Sequence, residues 1–183
     1  MFKFSKENMR VHVESIALHF YINEAIIEAD DYVDLIDALY QGQPNQTIYI
    51  HLNTPGGNLN IAMQIINAIG ASQANVVGLA DGEVASAGSL ILFACPMIGV
   101  QDFCYVMLHD GSEGAFGKIN ENLKQAQFTS KLLNKICHKV YGPFFTEEEI
   151  NSVLDGKDMW LMAEELEERL NKAKEQGESI DEE

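Results

Sequence analysis

The chain has 183 residues, 46% hydrophobic and 22% charged, which suits one domain with a sizeable core. A formal charge of −16 and a pI near 4.5 argue against nucleic acid or an anionic membrane as main partner, since both recruit clustered Lys and Arg. Cys95, Cys104 and Cys137 are odd in number and lack the close spacing of a zinc or redox motif, so free thiols packed as small core residues are expected.

Met1 to Glu7 leads into charged and polar residues rather than an apolar run, so no export signal and a cytoplasmic location are expected. Val11–Val13 and Ser15–Tyr21 read as strands. Asp30–Tyr40 has helical spacing, with Val33, Leu35, Ile36 and Leu39 as its inner face. Gln41–Asn45 is a turn by composition, and Thr47–Leu52 is the clearest strand. Next stands Asn53-Thr54-Pro55-Gly56-Gly57-Asn58, whose glycines permit positive φ and leave N–H groups uncovered. Such a turn offers N–H groups to an anion, or simply joins a strand to a helix; no phosphate-loop lysine follows. A helix over Leu59–Ile69 carries Ile61, Ile65, Ile66 and Ile69 and closes at Gly70, and Val76–Ala80 is again a strand.

Gly82-Glu83-Val84-Ala85-Ser86-Ala87-Gly88-Ser89 centres one hydroxyl, that of Ser86, among small residues and is followed at once by apolar Leu90–Ala94. A serine there sits at a strand-to-helix junction, near free N–H groups and the positive end of a helix dipole. The same small residues also suit a close-packed crossing without chemistry. Val84–Gln101 is uncharged and nearly long enough to span a membrane, but its Gly, Ser and Pro96 fit a buried helix and a turn better, so no membrane span is expected. His109 ends the strand Phe103–His109, where it could serve Ser86 as a base or be structural; His12, His19, His51 and His138 have no comparable context. A flexible piece over Asp110–Gly117 precedes a helix over Ile119–Val140 whose mixed faces suit a partner surface. Thr146–Glu149 is a capping box for a helix ending near Leu154. Asp155–Asp158 turns into Met159–Leu161, with Asp158 either orienting a histidine or solvated in the turn. From Ala163 a charged helix runs to Gln176, so residues 1–176 are expected as a single domain and 177–183 as an acidic flexible tail. The alternation of strands and helices argues for a layered α/β domain.

In combination, Asn53-Thr54-Pro55-Gly56-Gly57, Gly82-x-x-Ala85-Ser86-x-Gly88, Met107-Leu108-His109 and Asp158-x-Trp160-Leu161-x-Ala163-Glu164-Glu165 closely resemble the proteolytic subunit of the Clp protease, in order and spacing from about Ile16 to Leu166. The resemblance implies a crotonase-like α/β fold of repeated ββα units with a protruding handle helix, here Ile119–Val140. It implies a serine endopeptidase of unfolded proteins or short peptides, with Ser86 as nucleophile, His109 as base and Asp158 as orienting carboxylate. Asp155 is the alternative acid, because the spacing around this turn is slightly contracted. Also implied are an oxyanion hole from the N–H groups of Gly57 and Ala87, and a substrate-pairing strand over Gly114, Ala115, Phe116 and Gly117. A homo-oligomer follows, as a heptameric ring or two stacked rings, with an AAA+ ATPase unfoldase as a further partner and with no metal, cofactor, nucleic acid or membrane. Gly111 replaces a proline common in the family, the handle helix is about one turn short, and the segment before Ile16 is short. A crotonase-fold acyl-CoA enzyme and a catalytically silent ring subunit are the alternatives.

Overall fold

The computed structural model describes residues 16–112, 114 and 116–178. The strand expected at Val11–Val13, Ala115 and residues 179–183 of the expected tail lie outside them.

Alternating apolar residues make the sheet. β1 (Ile16–Ile22), β2 (Gln46–Thr54) and β3 (Asn75–Ala85) pair in parallel, and Ile48, Ile50 and Leu52 of β2 are fully buried. Burial of each such side chain is worth about 1.5–3 kcal/mol. The alternate positions His19, Tyr21, Tyr49 and His51 point to the opposite face, where Tyr21 is 62% exposed. β3 serves two neighbours along its other edge. Val77–Ala80 pair with β4 (Met97–Val100), and Glu83–Ala85 pair with β5 (Tyr105–Leu108). β6 (Met159–Met162) closes the sheet antiparallel to β5.

The helices are α1 (Val33–Gln41), α2 (Leu59–Ala71), α3 (Ala87–Ala94), α4 (Ile119–Tyr141), α5 (Glu147–Leu154) and α6 (Ala163–Glu178). The outcome is the mixed α/β architecture expected, a central sheet flanked by helices, with α4 as its longest helix. Among the described residues no helix is long and apolar enough to cross a membrane. All three cysteines are free and buried, and burial pushes the Cys95 and Cys137 thiols up to about 12.

Several element bounds differ from those expected, among them β5, which is Tyr105–Leu108 rather than Phe103–His109. The first helix opens as a 3-10 turn, Ala29–Tyr32, and Val33 is 48% exposed rather than inward. At 100° per residue Val33 lies roughly 115° from the centre of the Leu35–Ile36–Leu39 face, so it cannot share that face. Gly70 does not close α2, which runs on to Ala71 while the Ser72 N–H caps Ile69. β3 continues past Ala80 to Ala85, and β4 occupies a segment expected as a turn, because Pro96 precedes the strand and costs it no ladder bond. α6 passes the expected start of the tail by two residues.

The capping box forms as the sequence requires. Thr146 Oγ1 accepts the Glu149 N–H, and Glu149 accepts the Thr146 N–H at 2.9 Å. Arg169 of α6 also donates to both Glu149 carboxylate oxygens, at 3.1 and 2.6 Å, so α5 is tied to α6. These donors, Arg169 first, hold the Glu149 pKa below its ordinary value. A depressed carboxylate contributes stability above its unfolded pKa and loses it as pH falls through the folded value. Glu149→Gln is therefore expected to cost about 1 kcal/mol near neutral pH. Its thermal midpoint should also converge on that of the parent chain as the medium is acidified below the ordinary carboxylate range.

Candidate active site

β3 and α3 meet at Ser86, which has φ +54°, the only positive φ outside glycine among the described residues. A serine is strained there, and the surroundings must over-determine it. They do so through the sheet, because the Ser86 N–H donates to Met107 O at 2.9 Å and continues the β3–β5 pairing by one step. That step sets Ser86 beside the end of β5, where His109 emerges. Ser86 Oγ and His109 Nε2 are 2.6 Å apart. With Ser86 donating, the imidazole carries its proton on Nδ1 and presents Nε2 as a base.

The Pro55-Gly56-Gly57 turn packs onto the same junction. Buried Thr54 shapes it, donating to Glu24 O at 2.6 Å and accepting the Gly56 N–H at 3.1 Å. A Cβ on Gly56 would come 2.6 Å from Ala85 O and 2.8 Å from Ala87 N, so only glycine allows this approach. Gly57 has φ +147°, with the Ile26 N–H bonded to Gly56 O at 2.8 Å and the Asn58 N–H to Ile26 O at 2.7 Å. Among the described residues the N–H groups of Gly57 and Ala87 donate no hydrogen bond. Both residues line, with Ser86 and His109, a cavity of about 1230 Å³.

Asp158 makes no hydrogen bond or ion pair with His109 among the described residues, and Asp155 rather than Asp158 lines the cavity. The strand register is informative here. Met107 pairs with Trp160 and Leu108 with Met159, so one further step would put Asp158 opposite His109. Directly opposed antiparallel residues have Cβ atoms about 4.5–5.5 Å apart. Asp155, by contrast, is the C-cap of α5. Gly114, Phe116 and Gly117 form no strand here, and the Phe116 side chain is fully exposed.

Two groups of polar residues were not legible in the sequence. Ser89 Oγ lies 2.7 Å from Ser86 O and 2.8 Å from Tyr141 Oη, all behind the Ser86 turn. On the far sheet face, His51 Nδ1 meets Asp81 Oδ2 at 2.6 Å and His51 Nε2 meets His19 Nδ1 at 3.0 Å, with Tyr49 and Tyr21 stacked on the two rings. His19 and His51 thus have a context after all. Parallel pairing of β1 with β2 and of β2 with β3 supplied it, which no local pattern encodes.

Replacing Gly57 by alanine tests the turn. The new Cβ would collide with the Ile26 carbonyl and oppose φ +147°, so the N–H of residue 57 would turn away from the cavity. If that N–H serves an oxyanion, kcat should fall about 10²–10³-fold. A variant that folds and keeps full turnover would exclude this role.

Comparison with known proteins gives a family match and similarity to curated relatives. Residues 9–169 match the family model described as Clp protease. The ATP-dependent Clp protease proteolytic subunit 2 of Treponema denticola is 29% identical over 134 residues, which are 72% of this chain and 65% of that relative. The chain therefore spans just under two thirds of the length of that relative.

Proposed function

The chain belongs to the Clp protease family, and on that premise we propose that it is a serine endopeptidase acting on unfolded proteins or short peptides. The observation that carries this reading is the 2.6 Å contact between Ser86 Oγ and His109 Nε2 on a strained turn at the head of α3. A thioester-polarising enzyme needs the uncovered N–H groups but has no use for that pair.

In the reaction, Ser86 Oγ attacks the peptide carbonyl carbon as His109 Nε2 takes its proton. The tetrahedral oxyanion is received by the N–H groups of Gly57 and Ala87. His109 then protonates the leaving amine, and an acyl-enzyme remains on Ser86. Water, deprotonated by the same imidazole, releases the acid and restores the serine. Asp158 holds the Nδ1–H tautomer once β5 and β6 pair one residue further. Gly114, Phe116 and Gly117, in no strand among the described residues, would together with Ala115 take up the substrate backbone as an added strand.

The reading includes assembly of copies into a ring or two stacked rings. Exposed Tyr21, Trp160 and Met162 on the sheet and Ile119, Leu123 and Phe128 on α4 are the apolar surface that assembly would cover. The relative's name carries ATP dependence, and we extend the reading to delivery of unfolded chains by an ATPase partner.

The test is a fluorophosphonate probe applied to the purified protein, with the adduct located by peptide mass and the labelled species sized. An activated serine reacts, whereas an ordinary one does not. An adduct on Ser86 in a large species is expected; a well-folded assembly that stays unlabelled would sink the reading.

A further inference from the structure

The nucleophile turn is held from behind by two buried hydroxyls. Ser89 is fully buried on the first turn of α3, and Tyr141, the last residue of α4, is 2% exposed. The direction of their hydrogen bonds follows from elimination. A carbonyl oxygen only accepts, so Ser89 Oγ–H donates to Ser86 O at 2.7 Å. Having spent its one hydrogen, Ser89 must accept from Tyr141 Oη–H at 2.8 Å. Burial keeps that phenol neutral and therefore a donor.

Helix formation alone does not require this arrangement. Ser86 O already receives the N–H groups of Ser89 at 3.0 Å and Leu90 at 3.3 Å, one for each lone pair, and the Ser89 hydroxyl is a third and shorter contact. What the third contact adds is orientation. The Ser86 carbonyl and the Ala87 N–H are opposite ends of one planar peptide, so pinning the oxygen aims the N–H. That peptide also begins at a residue with φ +54°, which would otherwise relax.

We propose that Ser89 and Tyr141 are positioning residues that lock the Ser86–Ala87 peptide, so that the Ala87 N–H points to where the oxyanion forms. This rests on the peptidase reading. Since Tyr141 belongs to α4, whose Leu133 also lines the cavity, the lock ties the wall of the site to its oxyanion donor.

The test compares Ser89→Ala, Tyr141→Phe and the double variant with the parent in its assembled form. Four quantities are read: kcat and KM on a short fluorogenic peptide, affinity for a peptide boronate that forms a tetrahedral adduct, the fluorophosphonate adduct on Ser86, and the thermal midpoint. Ser89→Ala should lower kcat and boronate affinity by about tenfold, less than loss of a donor because the N–H is misaimed rather than removed. KM should move less than about twofold, since ground-state binding is untouched. Tyr141→Phe should show a smaller loss of the same kind. Ser89→Ala also strands a buried phenol, so it should melt earlier, whereas the double variant, with no unpaired hydroxyl, should regain most of that midpoint. A double variant that recovers its midpoint but not its kcat supports the lock. Recovery of both together, or parental kcat in all three, overturns it and leaves the hydroxyls a packing role. A parent chain with no adduct on Ser86 overturns the peptidase reading and the lock together, and that result is visible without any variant.

Discussion

Alanine in place of Ser86 should reduce peptide hydrolysis by about 10⁶-fold and abolish the fluorophosphonate adduct, while the thermal midpoint stays near that of the parent chain. The loss follows from the proposed role: among the described residues no other hydroxyl hydrogen-bonds His109 Nε2, and the residual rate is what the proposed oxyanion donors give to water alone. The stability expectation follows from the backbone. Alanine has a Cβ as serine does, so φ +54° is as strained in the variant as in the parent, and the Ser86 N–H and carbonyl contacts do not involve the hydroxyl. Turnover of the same peptide by a clean preparation of the variant would move the chemistry elsewhere in the cavity. A parent chain as inert as the variant would point instead to a silent subunit.

Asp158→Asn should lower kcat by about 10⁴-fold, because an amide favours the wrong imidazole tautomer and cannot stabilise the imidazolium. Asp155→Asn should change it far less, because Asp155 is the C-cap of α5 and lies off the β5–β6 register that would face His109. The contrast is needed because both carboxylates are exposed and neither bonds His109. Register favours Asp158, whereas position on the cavity wall favours Asp155. Steady-state kinetics on the two variants decide between them, and a loss confined to Asp155→Asn would reassign the acid while leaving the peptidase reading intact.

The features legible in the sequence are those set by neighbours along the chain. The capping box at Thr146, the strand around Ile50, the long helix α4 and the serine at the head of α3 each follow from residues within one or two turns of themselves. The 2.6 Å approach of His109 to Ser86 needed a pairing partner for β3, yet both residues stood at ends of recognisable elements and so could be nominated. Ser89 could not. It looks like any small residue in a helical first turn, and its partner Tyr141 is 52 positions away. His51 and Asp81 are likewise 30 positions apart, joined only because β2 and β3 lie side by side. Gly70 fails for another reason: a boundary depends on which turn the packing retains, and periodicity resolves that to a few residues at best, whereas for Val33 the helical period itself sets it off the Leu35–Ile36–Leu39 face.

The pairing of β5 with β6 also bears on which changes of length the chain can absorb. Side chains of a strand alternate between faces, so a slip of one residue in β6 would bring Met159 to the place facing His109 and turn every partner over. The connection from α5 to β6, Asp155–Asp158, carries no such phase. Residues can be gained or lost there while Leu108 and Met159 stay paired, and the same aspartate follows the strand into position. A contraction at this turn would therefore be a variation in the tether, and the place of the proposed acid is tied to the strand rather than to its distance along the chain from His109.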